Sequence, residues 1–262
     1  MRGDDAAMID THCHLCDKRF DKDREPMLAR AQEAGVTHFI EIAYTPALVG
    51  RAHALAALHP NVFLCVGVHP NDAAKVGEDY LPLLRDYARH ARVVAIGETG
   101  LDFYRDDAPR AGQERWFRAQ LALADELGLP VVIHQRAASE DVMAILEETR
   151  PAAAGVLHCF DDGPQWVERA AAIGFKLGLG GCLTYGHAEL DEAIRMAPQE
   201  MLMLETDAPY LEPEPRSVRR NEPALLPRVV RRLCELRGWT REAAVRITRS
   251  NARELFRLSI EA

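Results

Sequence analysis

The strongest constraint in this sequence is an alternation: eight short apolar runs with strand character, separated by segments of helical periodicity, continue from one end to the other. The runs are 8–11, 38–43, 62–68, 93–96, 131–133, 155–157, 175–179 and 201–204. Helical segments are predicted at 24–34, 46–58, 113–127, 139–148, 165–173 and 189–196, with 225–237 and 241–256 closing the chain. Gly35, Gly128 and Gly174 each end a helical segment just before the next run, where a left-handed cap belongs. Eight such units in about 250 residues predict an α/β fold, a (β/α)8 TIM barrel in a single domain spanning 1–262, with 1–7 as an irregular N-terminal extension. An open doubly wound sheet would carry a glycine-rich phosphate turn after its first strand, and this chain has none. With 48% hydrophobic and 27% charged residues, 262 residues suffice for one large core. No run approaches a membrane span. The six cysteines are scattered and the first residues lack an apolar signal core, so a reducing cytoplasm is the expected compartment.

Active sites of such barrels lie at the C-terminal ends of the strands. His12 and His14, two residues apart, share one face at the end of the first run. Glu98 follows the fourth run, His134 ends the fifth, His158 the sixth and Asp207 the eighth. Any one histidine after an apolar run is ordinarily a hydrogen-bonded structural residue. Coincidence at five strand ends favours a metal site instead, in which one carboxylate bridges two ions. His38, His53, His59, His90 and His187 lie in helices, connections or at a strand start and read as structural or solvated. Cys13 and Cys16 form a lone CxxC with no second pair, so they read as buried thiols. Asp10, on the same strand as His12, is expected to fix an imidazole tautomer. The net charge of −8 excludes nucleic-acid binding by bulk cationic charge, so an anionic substrate must be held locally.

The segments Asp10-Thr11-His12-Cys13-His14, Val66-Gly67-Val68-His69-Pro70, Ile96-Gly97-Glu98-Thr99-Gly100-Leu101-Asp102 and Val132-Ile133-His134-Gln135-Arg136 are four of eight that tell together. The others are Leu157-His158-Cys159-Phe160, Leu204-Glu205-Thr206-Asp207-Ala208-Pro209-Tyr210-Leu211, Arg220-Asn221-Glu222-Pro223 and Asn251-Ala252-Arg253-Glu254-Leu255-Phe256. In order and spacing they resemble the TatD family of metal-dependent deoxyribonucleases. The resemblance implies a barrel of the amidohydrolase superfamily with phosphodiester-hydrolysing activity, often 3′-to-5′ on DNA. It implies two divalent ions per subunit (zinc, manganese or magnesium), one held by His12, His14, Glu98 and Asp207, the other by Glu98, His134 and His158. DNA or another phosphodiester is the implied partner, with no membrane and no obligate protein partner. Three departures stand out: Gln135 where the family has serine, Gly163 one place late in Asp161-Asp162-Gly163, and Ser217-Val218 in place of an Arg-Gly pair.

A divalent pair makes hydroxide available near neutral pH and neutralises charge on a phosphorane-like transition state, which favours phosphoester cleavage. Asp207 is the candidate acceptor of the nucleophile's proton, and Glu98 the candidate bridge. Arg136, two residues beyond His134, reads either as a phosphate ligand or as a surface ion pair. Arg216, Arg219 and Arg220 read as phosphate ligands or as a mixed-charge loop with Glu212, Glu214 and Glu222. His69 and Tyr104 are candidate substrate contacts, and Asp102 either supports the site or faces substrate. The rival reading is an amidohydrolase acting on a small-molecule ester or amide. Many such enzymes bridge their ions with a carbamylated lysine after strand four, where this chain has Glu98 and no nearby lysine. A histidinol-phosphatase-like enzyme would show Asp-x-His where Asp207-Ala208-Pro209 stands. A non-catalytic metal-binding barrel is the third alternative.

Overall fold

Strands that all run the same way need crossovers, and the helices between the apolar runs supply them. The computed structural model describes residues 7–77, 79–105, 107–216 and 220–260. The expected N-terminal extension therefore lies, but for Ala7, outside the described residues, as do Ser217, Val218 and Arg219. The strands are β1 (Met8–Cys13), β2 (Val36–Ala43), β3 (Val62–Val66), β4 (Val93–Asp102), β5 (Val131–Arg136), β6 (Gly155–Leu157), β7 (Lys176–Leu179) and β8 (Leu202–Leu204). They pair in parallel in chain order. Between them run α1 (Arg24–Glu33), α2 (Pro46–Leu58), α3 (Tyr80–Ala88), α4 (Arg110–Leu127), α5 (Ser139–Thr149), α6 (Pro164–Ala172) and α7 (Ala188–Met196), followed by α8 (Leu226–Arg237) and α9 (Arg241–Phe256). The predicted barrel is the observed one.

The seam between β1 and β8 closes just past the end of β8. Cys13 bridges Ala208, with the His14 N–H on the Ala208 carbonyl at 2.8 Å and the Asp207 N–H on the His12 carbonyl at 2.9 Å. Side chains alternate across each strand. Phe39, Leu64, Ile96, Ile133, Leu157 and Leu177 face the helices. Ile40, Ile42, Cys65, Val132, Val156 and Met203 fill the barrel together with Leu255 and Phe256 of α9. Each such burial contributes about 1.5–3 kcal/mol. Asn251 of α9 donates to the carbonyls of Gln199 and Leu202, so α9 plugs the end where the strands begin. The opposite end is left for a site.

Two expectations need correction. The fourth apolar run stops at Ile96, but β4 continues to Asp102, pairing with β5 up to Asp102↔Arg136 with one shift of register between Gly97 and Thr99. Glu98 sits at that shift, between Gly97 paired with Val132 and Thr99 paired with Ile133, and the ladder resumes beyond it, so Glu98 lies within its strand rather than after it. Helix α3 is not among the predicted segments; its Pro82 falls in the first turn, where the missing N–H costs nothing. Gly35, Gly128 and Gly174 do adopt left-handed φ of 89°, 65° and 77°. No described helix is long and apolar enough to cross a membrane, and all six cysteines are free thiols.

Candidate active site

Strand parity aims the functional side chains. Val132, Val156 and Met203 point into the barrel, so two residues later His134, His158 and Glu205 point along the same axis at its open end. His12, His14, Glu98, His158 and Asp207 are buried there, and His69 and His134 are half-buried.

Glu98 is the centre of the cluster. Its Oε2 lies 3.5 Å from His12 Nε2. Its Oε1 lies 2.8 Å from His134 Nδ1, 3.5 Å from His158 Nε2 and 3.5 Å from His69 Nε2. Asp207 Oδ1 is 3.0 Å from His14 Nε2 and 3.7 Å from His12 Nε2. Asp207 holds a left-handed φ of 55° at the barrel seam, a conformation that aspartate tolerates better than most residues. The His12 and His158 rings stack with centroids 3.5 Å apart. The structure thus brings His12, His14, Glu98, His134, His158 and Asp207 together, with His69 beside them.

The charges are strongly coupled. Burial alone would raise Glu98, but the imidazoles of His69, His158 and His12 hold it well below the ordinary carboxylate range. Burial would likewise lower His158, yet Glu205 and Glu98 push it up to about 10. Burial and the stacked His158 lower His12. Asp207 is held down against its burial by His14, His158 and His12. Two stacked imidazoles cannot both carry protons cheaply, and a cation between the carboxylates relieves the conflict. Among the described residues, both nitrogens of His12 and Nδ1 of His14 are buried without a hydrogen-bond partner, an arrangement that is costly unless something binds there. Imidazole nitrogen with carboxylate oxygen is the donor set of a divalent transition metal, and ligand atoms of His12, His14 and Glu98, and of His12, His158 and Asp207, lie within 4.8 Å of one another. The residues fit a metal centre.

The supporting residues differ from expectation. Asp10 does not touch an imidazole. It accepts from the Thr206 N–H at 2.9 Å and hydroxyl at 2.6 Å, so it fastens the β1–β8 seam. The expected carboxylate–imidazole role falls to two others. Glu205 Oε1 lies 2.8 Å from His158 Nδ1 and accepts the Cys159 N–H; Asp102 Oδ2 lies 3.1 Å from His134 Nε2. Glu205 was missed by sequence reasoning, although its spacing of two from Met203 carried the signal. Tyr44 and Tyr210, edge-on to His14 at 5.3 and 5.6 Å, were also missed, because loop aromatics have no spacing to give them away.

Of the substrate candidates, Arg136 is exposed and lies 4.0 Å over the Tyr104 ring. Among the described residues it makes no ion pair. His69 Nδ1 accepts the Asn71 N–H, which leaves the proton of the neutral ring on Nε2, facing Glu98. Arg220 is engaged elsewhere: its guanidinium forks onto both oxygens of Asp23 at 2.7 Å and covers Phe20, a structural clasp. Arg216 pairs with Glu214, as a mixed-charge loop would. Two of the noted departures touch each other: Gln135 Nε2 and Ser139 Oγ both donate to Asp162 Oδ2, joining the loops after β5 and β6. The five histidines expected to be structural belong to none of the candidate metal groups.

A family model described as TatD related DNase matches residues 9–257. A Bacillus subtilis protein named uncharacterized metal-dependent hydrolase YabD is 35% identical, the match covering 96% of this chain and 100% of the relative. A Pantoea vagans protein named 3′-5′ ssDNA/RNA exonuclease TatD is 40% identical, covering 96% and 100%. The crystal structure of YjjV, a TatD homolog from Escherichia coli, superposes with a TM-score of 0.92 at 33% identity, covering 97% of this chain and 99% of that one.

Proposed function

Because the chain belongs to the TatD-related DNase family, we propose that this metal-dependent hydrolase shortens single-stranded DNA, and RNA, from the 3′ end at a pair of divalent ions sharing Glu98. One observation carries the reading: the two oxygens of Glu98 face different partners, Oε2 toward His12 and Oε1 toward His134 and His158. His12, His14, Asp207 and Glu98 would hold one ion; Glu98, His134 and His158 would hold the other. The mixed nitrogen and oxygen donors suit zinc or manganese, and magnesium where water completes the shell. The names of the relatives from Bacillus subtilis and Pantoea vagans support metal dependence and a single-stranded substrate.

Bound there, such ions supply an acidified water and neutralise charge on a phosphoryl group. The chain's own residues do the rest. Asp207, ionised at neutral pH, accepts the proton of the attacking water. Glu205 and Asp102 orient His158 and His134 through the ring nitrogens that they contact. His69, whose Nε2–H faces Glu98 at 3.5 Å, would offer that N–H to a phosphoryl or leaving oxygen arriving beside Glu98. Arg136, stacked on Tyr104, binds a phosphate oxygen with its planar fork, and the Tyr104 ring, 68% exposed, stacks on a base. Arg220 does not join this set; it anchors the loop after β8. The small-molecule amidohydrolase reading loses its usual bridge, since Glu98 stands where a carbamylated lysine would be needed.

The test is a panel of 5′-labelled single- and double-stranded DNA and RNA, with chelator and with added Mn²⁺, Mg²⁺ or Zn²⁺. Stepwise shortening of single strands, abolished by chelator, is expected. Undiminished cleavage in chelator rejects the metal reading, and internal fragments reject the end-wise one.

A further inference from the structure

Beside the cluster, between the segments that follow β1 and β2, lies a cavity of about 250 Å³. It shares His14 with the metal cluster. Tyr44, Ile42 and Leu48 give it aromatic and apolar walls; exposed Lys18 stands at its rim with Asp17 and with Arg51, whose guanidinium is paired with Asp21. At its inner side is the Glu41 carboxylate, only 1% exposed. Glu41 accepts the N–H groups of Leu15 and Cys16, which fixes the wall formed by the β1 segment, and a carboxylate has further lone pairs to offer.

We infer that this cavity is the subsite for the terminal nucleotide of the strand, with the base against Tyr44 and Leu48 and the free terminal hydroxyl turned toward Glu41. The inference rests on the nuclease reading above and gives it a reason for acting at ends. The volume falls just below the range of ordinary ligand pockets, so it holds one unpaired nucleotide and not a base pair. An internal nucleotide carries phosphate on both sides and needs a way out of the pocket. The buried carboxylate closes that way, because its oxygens, already fixed by the Leu15 and Cys16 N–H groups, present acceptor lone pairs that suit a hydroxyl donor and leave a second phosphate without donors in a poorly solvated site. A hydroxyl there donates a hydrogen bond instead. The phosphate that links the terminal nucleotide to the rest of the strand lies at the metal cluster, and Lys18 at the rim is placed for the next phosphate along the strand. Stacking on Tyr44 requires no particular base, as a sequence-tolerant exonuclease needs.

The experiment compares 5′-labelled single strands ending in a 3′-hydroxyl with the same strands ending in a 3′-phosphate. It uses the metal-loaded wild-type protein and Leu48→Trp, whose larger side chain fills the cavity. The wild type should degrade the hydroxyl end at least about tenfold faster, and Leu48→Trp should raise KM for the hydroxyl strand by about tenfold or more. Thermal unfolding of Leu48→Trp confirms that the variant is folded, and the wild-type comparison of ends needs no variant at all. Equal rates on both ends, with an unchanged KM in a folded Leu48→Trp, overturn the subsite while leaving the nuclease reading intact. A wild type that leaves every oligonucleotide untouched with metal present overturns the nuclease reading, and the subsite with it.

Discussion

Glu98→Gln removes one negative charge while keeping the shape of a fully buried side chain. It therefore separates metal binding from packing. Glu98 meets His12, His69, His134 and His158 at 2.8 to 3.5 Å, a reach no other residue of the cluster has. A residue that merely supports a metal ligand is worth about 10- to 100-fold in metal affinity. Glu205, which contacts His158 alone among the imidazoles, sets that scale here. Glu98 would contact both ions directly, so the pair should be weakened by at least about 100-fold. Wild-type protein with each ion at 100 times its dissociation constant gains about 2.7 kcal/mol per site. In a chain of this size that is a rise in Tm of roughly 5–10 °C per site. The assay is thermal unfolding across a Mn²⁺ titration, with elemental analysis of the dialysed protein. Glu98→Gln should lose most of that rise and both ions, and Glu205→Gln should lose less. A Glu98→Gln protein that keeps two ions and the full rise would refute the bridging argument.

Other expectations follow from the same geometry. His158 is raised to about 10 by Glu205 and Glu98 in the ion-free protein. The stability from those contacts is complete below the unfolded histidine value of about 6.5 and is lost as pH rises through about 10. Chelated protein should thus lose Tm across that window, while metal affinity, which requires proton release from His158, should rise; parallel trends would contradict this. Arg136→Ala should raise KM for oligonucleotides by about tenfold with a smaller change in kcat, since a charge-assisted contact to phosphate is lost; unchanged kinetics would make Arg136 a surface residue. Asp10→Ala strips two partners from Thr206 at the seam and should cost about 2–4 kcal/mol by denaturant unfolding. A loss within error would show that the seam holds without it.

The barrel was legible because a parallel sheet covered by helices demands apolar runs at every strand, and those runs survive in one dimension. The boundaries were less so. Polar residues at the working end of β4, Glu98 and Thr99, look like the end of a strand although the ladder continues past them to Asp102. The candidate ligands were legible because His12 and His14 end the first apolar run and each of the others follows a run of its own. Supporting roles were not, since they depend on which neighbour a side chain faces. Asp10 shares a strand with His12 but turns to Thr206, and Glu205 reaches His158 across a neighbouring strand. The Gln135–Asp162 contact shows the same limit: two departures that look independent in sequence are one feature in space.

The central claim is that residues from five strands hold two ions on either side of one carboxylate. Crystals grown with Mn²⁺ and measured for anomalous scattering test it most directly. Two peaks about 3.5–4 Å apart, one beside His12, His14 and Asp207, the other beside His134 and His158, with Glu98 touching both, are predicted. A single peak, or peaks that leave Glu98 without a metal contact, would contradict the account.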